Sequence, residues 1–268
     1  MLESNISARW LGEEPLELMT LALDVVESLA GSQARDEAER ELFALERALA
    51  EELEGMQVAQ HLLPCLYQGL GLSGDSETFF SIDNCLMNRV LARREGIPVS
   101  LGILLIHLCR RFGVKAEGIC FPGHFLVRVW VKEESVIIDP FTGRPLSRRE
   151  IEQLLRGAQG NLARITPEHL KGADDSEILA RLLNVTKAAF IHDQQFGQAL
   201  ACSELLLRLK PDCPFERRDR GFLYEQLDCG RLAADDFEFF IEHCPEDPIA
   251  DVLKAQIAGL DLSPKTLH

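Results

Sequence analysis

Between Gly96 and Gly143 the hydrophobic period changes once, from the spacing of a helix to the strict alternation of strands, and this change constrains the fold more than any other feature of the chain. Leu101 to Phe112 reads as an apolar helix stopped by Gly113, with Arg110 and Arg111 in the last turn, where cations complement the helix dipole. Val114 to Phe121, His124 to Lys132 and Val136 to Asp139 then read as three strands. Pro122-Gly123 and the polar run Lys132 to Ser135 separate them, which is the pattern of an antiparallel meander. A helix must bury its apolar stripe on such a sheet, so the core is expected to be α+β.

Three residues of this unit stand at element ends, where side chains from different elements converge. Ser100 opens the apolar helix, His124 opens the second strand and Asp139 closes the third. Each has an ordinary explanation: a helix cap for Ser100, a satisfied polar residue for His124, a turn residue before Pro140 for Asp139. Their chain order is also that of nucleophile, base and orienter in acyl-transfer enzymes built on unrelated folds.

Gly-Ile-Pro-Val-Ser-Leu-Gly at 96–102, Phe-Pro-Gly-His-Phe-Leu-Val-Arg at 121–128 and Ile-Asp-Pro-Phe at 138–141 resemble, in that order, the SirB family of bacterial transglutaminase-like proteins. The resemblance covers most of the chain, the C-terminal repeats included. It implies a papain-like transglutaminase-type core, in which a nucleophilic cysteine opens the helix, the first following strand carries the histidine and the next carries the aspartate. His124 and Asp139 take the two partner positions, and Ser100 stands in the place of the cysteine.

That exchange matters because a thiol at a helix N-terminus is pushed toward thiolate, whereas a hydroxyl gains little and needs a well-placed base and oxyanion hole. Two functions follow. One is a catalytically silent scaffold that binds a protein or peptide through the core cleft and the repeats. The other is a serine-dependent amide or ester hydrolase or acyl transferase using Ser100, His124 and Asp139. The scaffold is the preferred reading, since fold analogy does not carry chemistry across a changed nucleophile. Asn84 and Asn88 are candidate oxyanion donors, Cys85 and Cys120 read as core thiols, and His107 reads as packing. Arg89, Arg93 and Arg94 read as a solvated cationic face.

Composition removes other classes. A net charge of -15 repels nucleic acid and anionic lipid alike. No basic-then-apolar leader and no apolar run of spanning length are expected, so the reading is a cytoplasmic protein without membrane contact. The eight cysteines are scattered without a Cys-x-x-Cys pair, against a metal site and against a disulfide framework, and no cofactor motif is present.

The flanks are helical. Residues 15–30, 36–54 and 84–94 have helical spacing, the second with a stripe of Leu42, Leu45, Leu49 and Leu53 beneath an acidic outer face. Ser147 and Glu150 form a capping box for a helix over 148–156, and Thr166-Pro167 starts another. From Ser176 only helical patterns remain, and Pro211 and Pro245 are 34 residues apart, the tetratricopeptide period. Phe190, Ala199 and Pro211 in one copy, and Gly221, Tyr224, Ala233, Phe237 and Pro245 in the next, match the small and aromatic positions of that repeat, with a trailing helix at 249–258. The expected organisation is a helical N-terminal region with the transglutaminase-like core over 1–160, and a tetratricopeptide-like repeat domain over 161–268.

Overall fold

The computed structural model of the chain describes residues 17–261. The first two residues of the expected helix at 15–30, and the N-terminal residues expected to lack a basic-then-apolar leader, lie outside them. The described residues form two compact units that divide between Leu182 and Leu183. The expected boundary after residue 160 falls inside the first unit, because Ile165 and Leu170 pack on the core cluster of Ile119, Phe121, Leu126, Ile151 and Leu155 and so tie the following segment to the sheet.

In the first unit, α1 (Leu18–Ala30) and α2 (Ser32–Glu52) are joined by Gly31 alone, at φ 88°, a left-handed conformation that costs glycine nothing. This single-residue turn is why α2 starts four residues earlier than its leucine stripe suggests. Leu42, Leu45, Leu49 and Leu53 are all buried. A short helix, α3 (Val58–Pro64), follows and continues as a wider turn over Cys65–Gly69.

The helix expected over 84–94 is broken. A 3-10 turn at Ile82–Asn84 is separated from α4 (Met87–Arg93) by Leu86, whose backbone is extended at φ -84°, ψ 123°. Two minimal strands, β1 (Ser73–Gly74) and β2 (Glu95–Gly96), pair in parallel at either end of this segment.

The helix α5 (Pro98–Arg111) starts with Pro98 at its first position and Ile97 as the residue before it. Ser100 is therefore the third helical residue, not the cap. Nearly all of α5 is buried, and it packs so closely on the sheet that a Cβ at Gly102 would sit 2.3 Å from the Phe125 ring.

The sheet runs β3 (Ala116–Ile119), β4 (Leu126–Val131), β5 (Glu134–Asp139), β6 (Arg144–Pro145), antiparallel throughout and in sequence order. Sequence reading found the meander and missed β6, which is two residues long and contains a proline. It also began the second strand at His124, whereas Pro122 to His124 form a turn and pairing starts at Leu126. Alternation along β4 sends Phe125 and Val127 toward Gly102 of α5, and Leu126 to the opposite face, where α6 (Arg148–Gln159) supplies Ile151 and Leu155. The capping box at Ser147 and Glu150 forms as read, and α6 runs three residues longer, to Gly160 at φ 94°.

The second unit is helical. The helix α7 (Asp175–His192) is followed by α8 (Phe196–Leu209), α9 (Pro214–Gln226), α10 (Gly230–His243) and α11 (Pro248–Ile257). Phe190, Ala199, Gly221, Tyr224, Ala233 and Phe237 are all buried, as the repeat pattern requires. Charges are buried too: Lys187 Nζ lies 2.7 and 2.8 Å from the Glu216 carboxylate oxygens, and Asp236 is gripped by Arg217 and Arg220. These ion pairs link α7 to α9 and α9 to α10.

Candidate functional site

The turn Phe121 to His124 is made rigid by its ends. Phe121 and Phe125 are each buried on one face of the sheet, Gly123 takes φ 69°, and His124 N–H donates to Phe121 O at 3.1 Å. The imidazole is thereby held over the end of β5, with Nε2 2.9 Å from Asp139 Oδ1. Both side chains are mostly buried, His124 at 18% and Asp139 at 14% exposure.

Asp139 is well supported. Its Oδ1 also accepts from Phe141 N–H at 2.9 Å, and Oδ2 from the Thr142 hydroxyl at 3.1 Å. Burial alone would raise the pKa of this carboxyl, but the His124 hydrogen bond, the Phe141 amide and the Thr142 hydroxyl outweigh it and hold the group below its ordinary value. An ionised carboxylate can only accept, so the proton of this hydrogen bond lies on Nε2. The next residue is anchored as well: Pro140 O accepts from the Tyr67 hydroxyl at 2.6 Å.

Ser100 is placed differently. Its side chain is fully buried, and its hydrogen-bonding capacity is spent on the chain that turns into α5. Oγ accepts from Ile97 N–H at 3.1 Å and donates to Asn84 O at 2.7 Å, with Ile97 O at 3.1 Å as the alternative acceptor. Among the described residues it makes no hydrogen bond to His124. The structure thus pairs the base and orienter positions and gives the hydroxyl other partners.

The surroundings of Ser100 form one polar brace. Asn84, also fully buried, donates through Nδ2 to Thr78 O at 2.7 Å and Asp75 Oδ2 at 3.1 Å, and accepts at Oδ1 from Arg93 at 3.1 Å. Both amide hydrogens are committed, so an oxyanion role for Asn84 would require breaking the brace. Asn88 is 9% exposed, and its Oδ1 has no partner among the described residues.

Arg93 and Arg94 are not the solvated face that their sequence suggests: Arg93 binds Asp75 and Glu95, and Arg94 donates to Leu70 O at 2.7 Å. Asp75 is the centre of this brace, and the Thr78 side chain and backbone, with Asn84 and Arg93, drive its pKa far down against the opposing effect of burial. No sequence signal marked these pairings, since Asp75, Asn84 and Arg93 are an ordinary turn residue, cap and helix-end cation in one dimension. His107 packs as read and also bonds Glu46 at 2.7 Å. Cys85 is buried, but Cys120 is exposed, because it follows the last paired residue of β3.

Residues 32–184, which include every residue of this site, match the family model described as "Transglutaminase-like superfamily". The chain belongs to that superfamily. Residues 186–258 match a tetratricopeptide repeat model. Among its relatives, the "UPF0162 protein" of Vibrio cholerae is 40% identical over 88% of this chain and 88% of its own length. "Protein SirB1" of Salmonella typhimurium is 32% identical over 87% of each chain, and "UPF0162 protein YchA" of Escherichia coli K12 is 32% identical over 94% of each. No solved structure matches.

This transglutaminase-like chain thus has His124 and Asp139 of the expected Ser100–His124–Asp139 set in contact, and a repeat unit of a type that generally mediates protein–protein interaction. Among the described residues no helix is long and apolar enough to cross a membrane, and no cluster of His, Cys, Asp and Glu has metal-binding geometry.

Proposed function

We propose that this transglutaminase-like protein is a catalytically silent scaffold, which binds a protein or peptide partner through its core cleft and its tetratricopeptide-like repeats. The observation that carries the reading is the state of Ser100: buried, and engaged by Asn84 O and Ile97 N–H. Attack through Oγ would require exposing the hydroxyl and orphaning both groups, at about 1–3 kcal/mol for each buried group left unsatisfied. Eight cysteines scattered without a Cys-x-x-Cys pair favour the reducing cytoplasm as its compartment.

The alternative, a serine-dependent hydrolase or acyl transferase, draws support from the His124–Asp139 contact, two of the three residues of a triad. A fluorophosphonate probe separates the two. A silent protein leaves Ser100 unlabelled at neutral pH, with the site read by peptide mass mapping. Labelling of Ser100 in the wild type that is lost in His124→Ala would overturn the scaffold reading and make this an acyl-transfer enzyme.

A further inference from the structure

On the α6 side of the sheet, beside β5, lies an open groove of about 520 Å³ lined by Val136, Ile137, Leu146, Ile151, Ile165 and Leu170, with Arg148 at its rim. None of Ser100, His124 and Asp139 lines it, so binding there is independent of what Ser100 does.

The sheet edge next to the groove is unfinished. Leu146 N–H donates to Ile137 O at 2.8 Å on the β6 side, and Trp130, opposite Ser135, sends its N–H to Lys115 O at 3.0 Å, away from β5. Ile137 and Ser135 therefore both turn their backbone groups away from β4. The two residues of β6 pair only with Ile138 and Asp139, so the N–H and C=O of Ser135 face an open edge. Ser135 and Val136 are exposed, Val136 at 37%.

Charge selects the occupant. The segment from Arg144 to Lys171, which borders the groove, carries six Lys and Arg against three Glu in a chain of net charge -15. Arg144, Arg148, Arg149 and Arg164 are exposed. Glu133 and Glu134 occupy the hairpin end, so the complement is acidic at one end only.

We infer that the β5 edge and its apolar groove take an extended segment of a partner protein as an added strand, with β-branched apolar residues in the groove and an acidic end on Arg148 and its neighbours. The main chain of the partner bonds Ser135, alternate side chains enter the groove, and the acids pair with guanidinium groups.

The test uses the full-length protein and two fluorescein-labelled peptides sharing a Val-Thr-Val-Thr-Val core, one with three terminal glutamates and one with three lysines, read by fluorescence anisotropy. The acidic peptide is expected to bind at least about tenfold more tightly, and Arg148→Glu to erase that preference. Ser135→Pro removes the outward N–H without touching the β4 ladder, so it is expected to weaken binding about tenfold while thermal unfolding stays unchanged.

Failure of the acidic peptide to bind at about millimolar concentration, the weakest affinity worth calling specific, would overturn the inference. So would equal binding of the two peptides, or binding indifferent to Ser135→Pro in a variant that unfolds like the wild type. A dimer in light scattering that Ser135→Pro converts to monomer would also overturn it, by making a second copy of this chain the occupant.

Discussion

Replacing Gly221 by alanine sets two effects of known sign against each other. Gly221 lies in the middle of α9, where alanine is favoured over glycine by about 0.8–1 kcal/mol of helix propensity. The new Cβ, however, would stand 2.6 and 2.7 Å from two ring carbons of Phe237 and 3.3 Å from Ala233 O. Phe237 cannot yield: it is fully buried, and its ring packs edge-on against Phe222 at 5.0 Å between centroids. Overpacking of this kind costs about 1–3 kcal/mol, so the clash wins and Gly221→Ala should lose about 1 kcal/mol net, up to about 2. With a denaturant slope near 2 kcal/mol/M, the urea midpoint of the second unit falls by about 0.5–1 M. Gly157→Ala in α6 is the control, since a Cβ there meets nothing within 4 Å, and it should stabilise the chain by up to about 1 kcal/mol. Phe237→Leu should relieve the clash, so in that background Gly221→Ala becomes neutral or stabilising. A midpoint for Gly221→Ala raised as far as that of Gly157→Ala would refute the packing argument and with it the repeat register.

Two further outcomes follow from buried charge. Lys187→Met should destabilise by about 3–5 kcal/mol because it leaves the Glu216 carboxylate buried without a counter-charge, held among the described residues only by the Ser203 hydroxyl, whereas Lys187→Met with Glu216→Leu should recover most of the loss; equal destabilisation of single and double variants in urea titrations would contradict this. Asp139 has a folded pKa below its unfolded value, so the stability it contributes is full above about pH 4 and is lost as pH falls through the folded value. Urea midpoints measured from pH 7 down to pH 3 should therefore fall more steeply in the wild type than in Asp139→Asn, and identical slopes would remove the His124 pairing as a stabilising contact.

Local signals were legible wherever the physics is local. The stop at Gly113, the capping box of Ser147 and Glu150, the leucine stripe of α2 and the proline period of the repeats each depend on residues a few positions apart, and each is found in the structure. Convergence of Ser100, His124 and Asp139 was expected from their placement at element ends and from the family resemblance; His124 and Asp139 meet, since the antiparallel register brings the start of β4 beside the end of β5, whereas Ser100 bonds elsewhere. The break at Leu86 escaped notice, since Cys85 and Leu86 continue an apolar spacing and the extended backbone there serves the turn into α4. β6 escaped because two residues with a proline carry no period.

Sequence alone thus determined the helix-then-meander core, the succession of an α+β unit by a helical array, and the family, because periodicity and motif spacing are properties of one dimension. Tertiary structure alone decided which polar groups are free. Ser100 meets the Asn84 carbonyl 16 residues away, Arg93 meets Asp75 18 residues away, and Ser135 is left at an edge by the shortness of β6. A hydroxyl looks the same in sequence whether its hydrogen bonds are spent or open, and the difference lies in backbone groups brought to it by packing, whose desolvation makes those bonds obligatory.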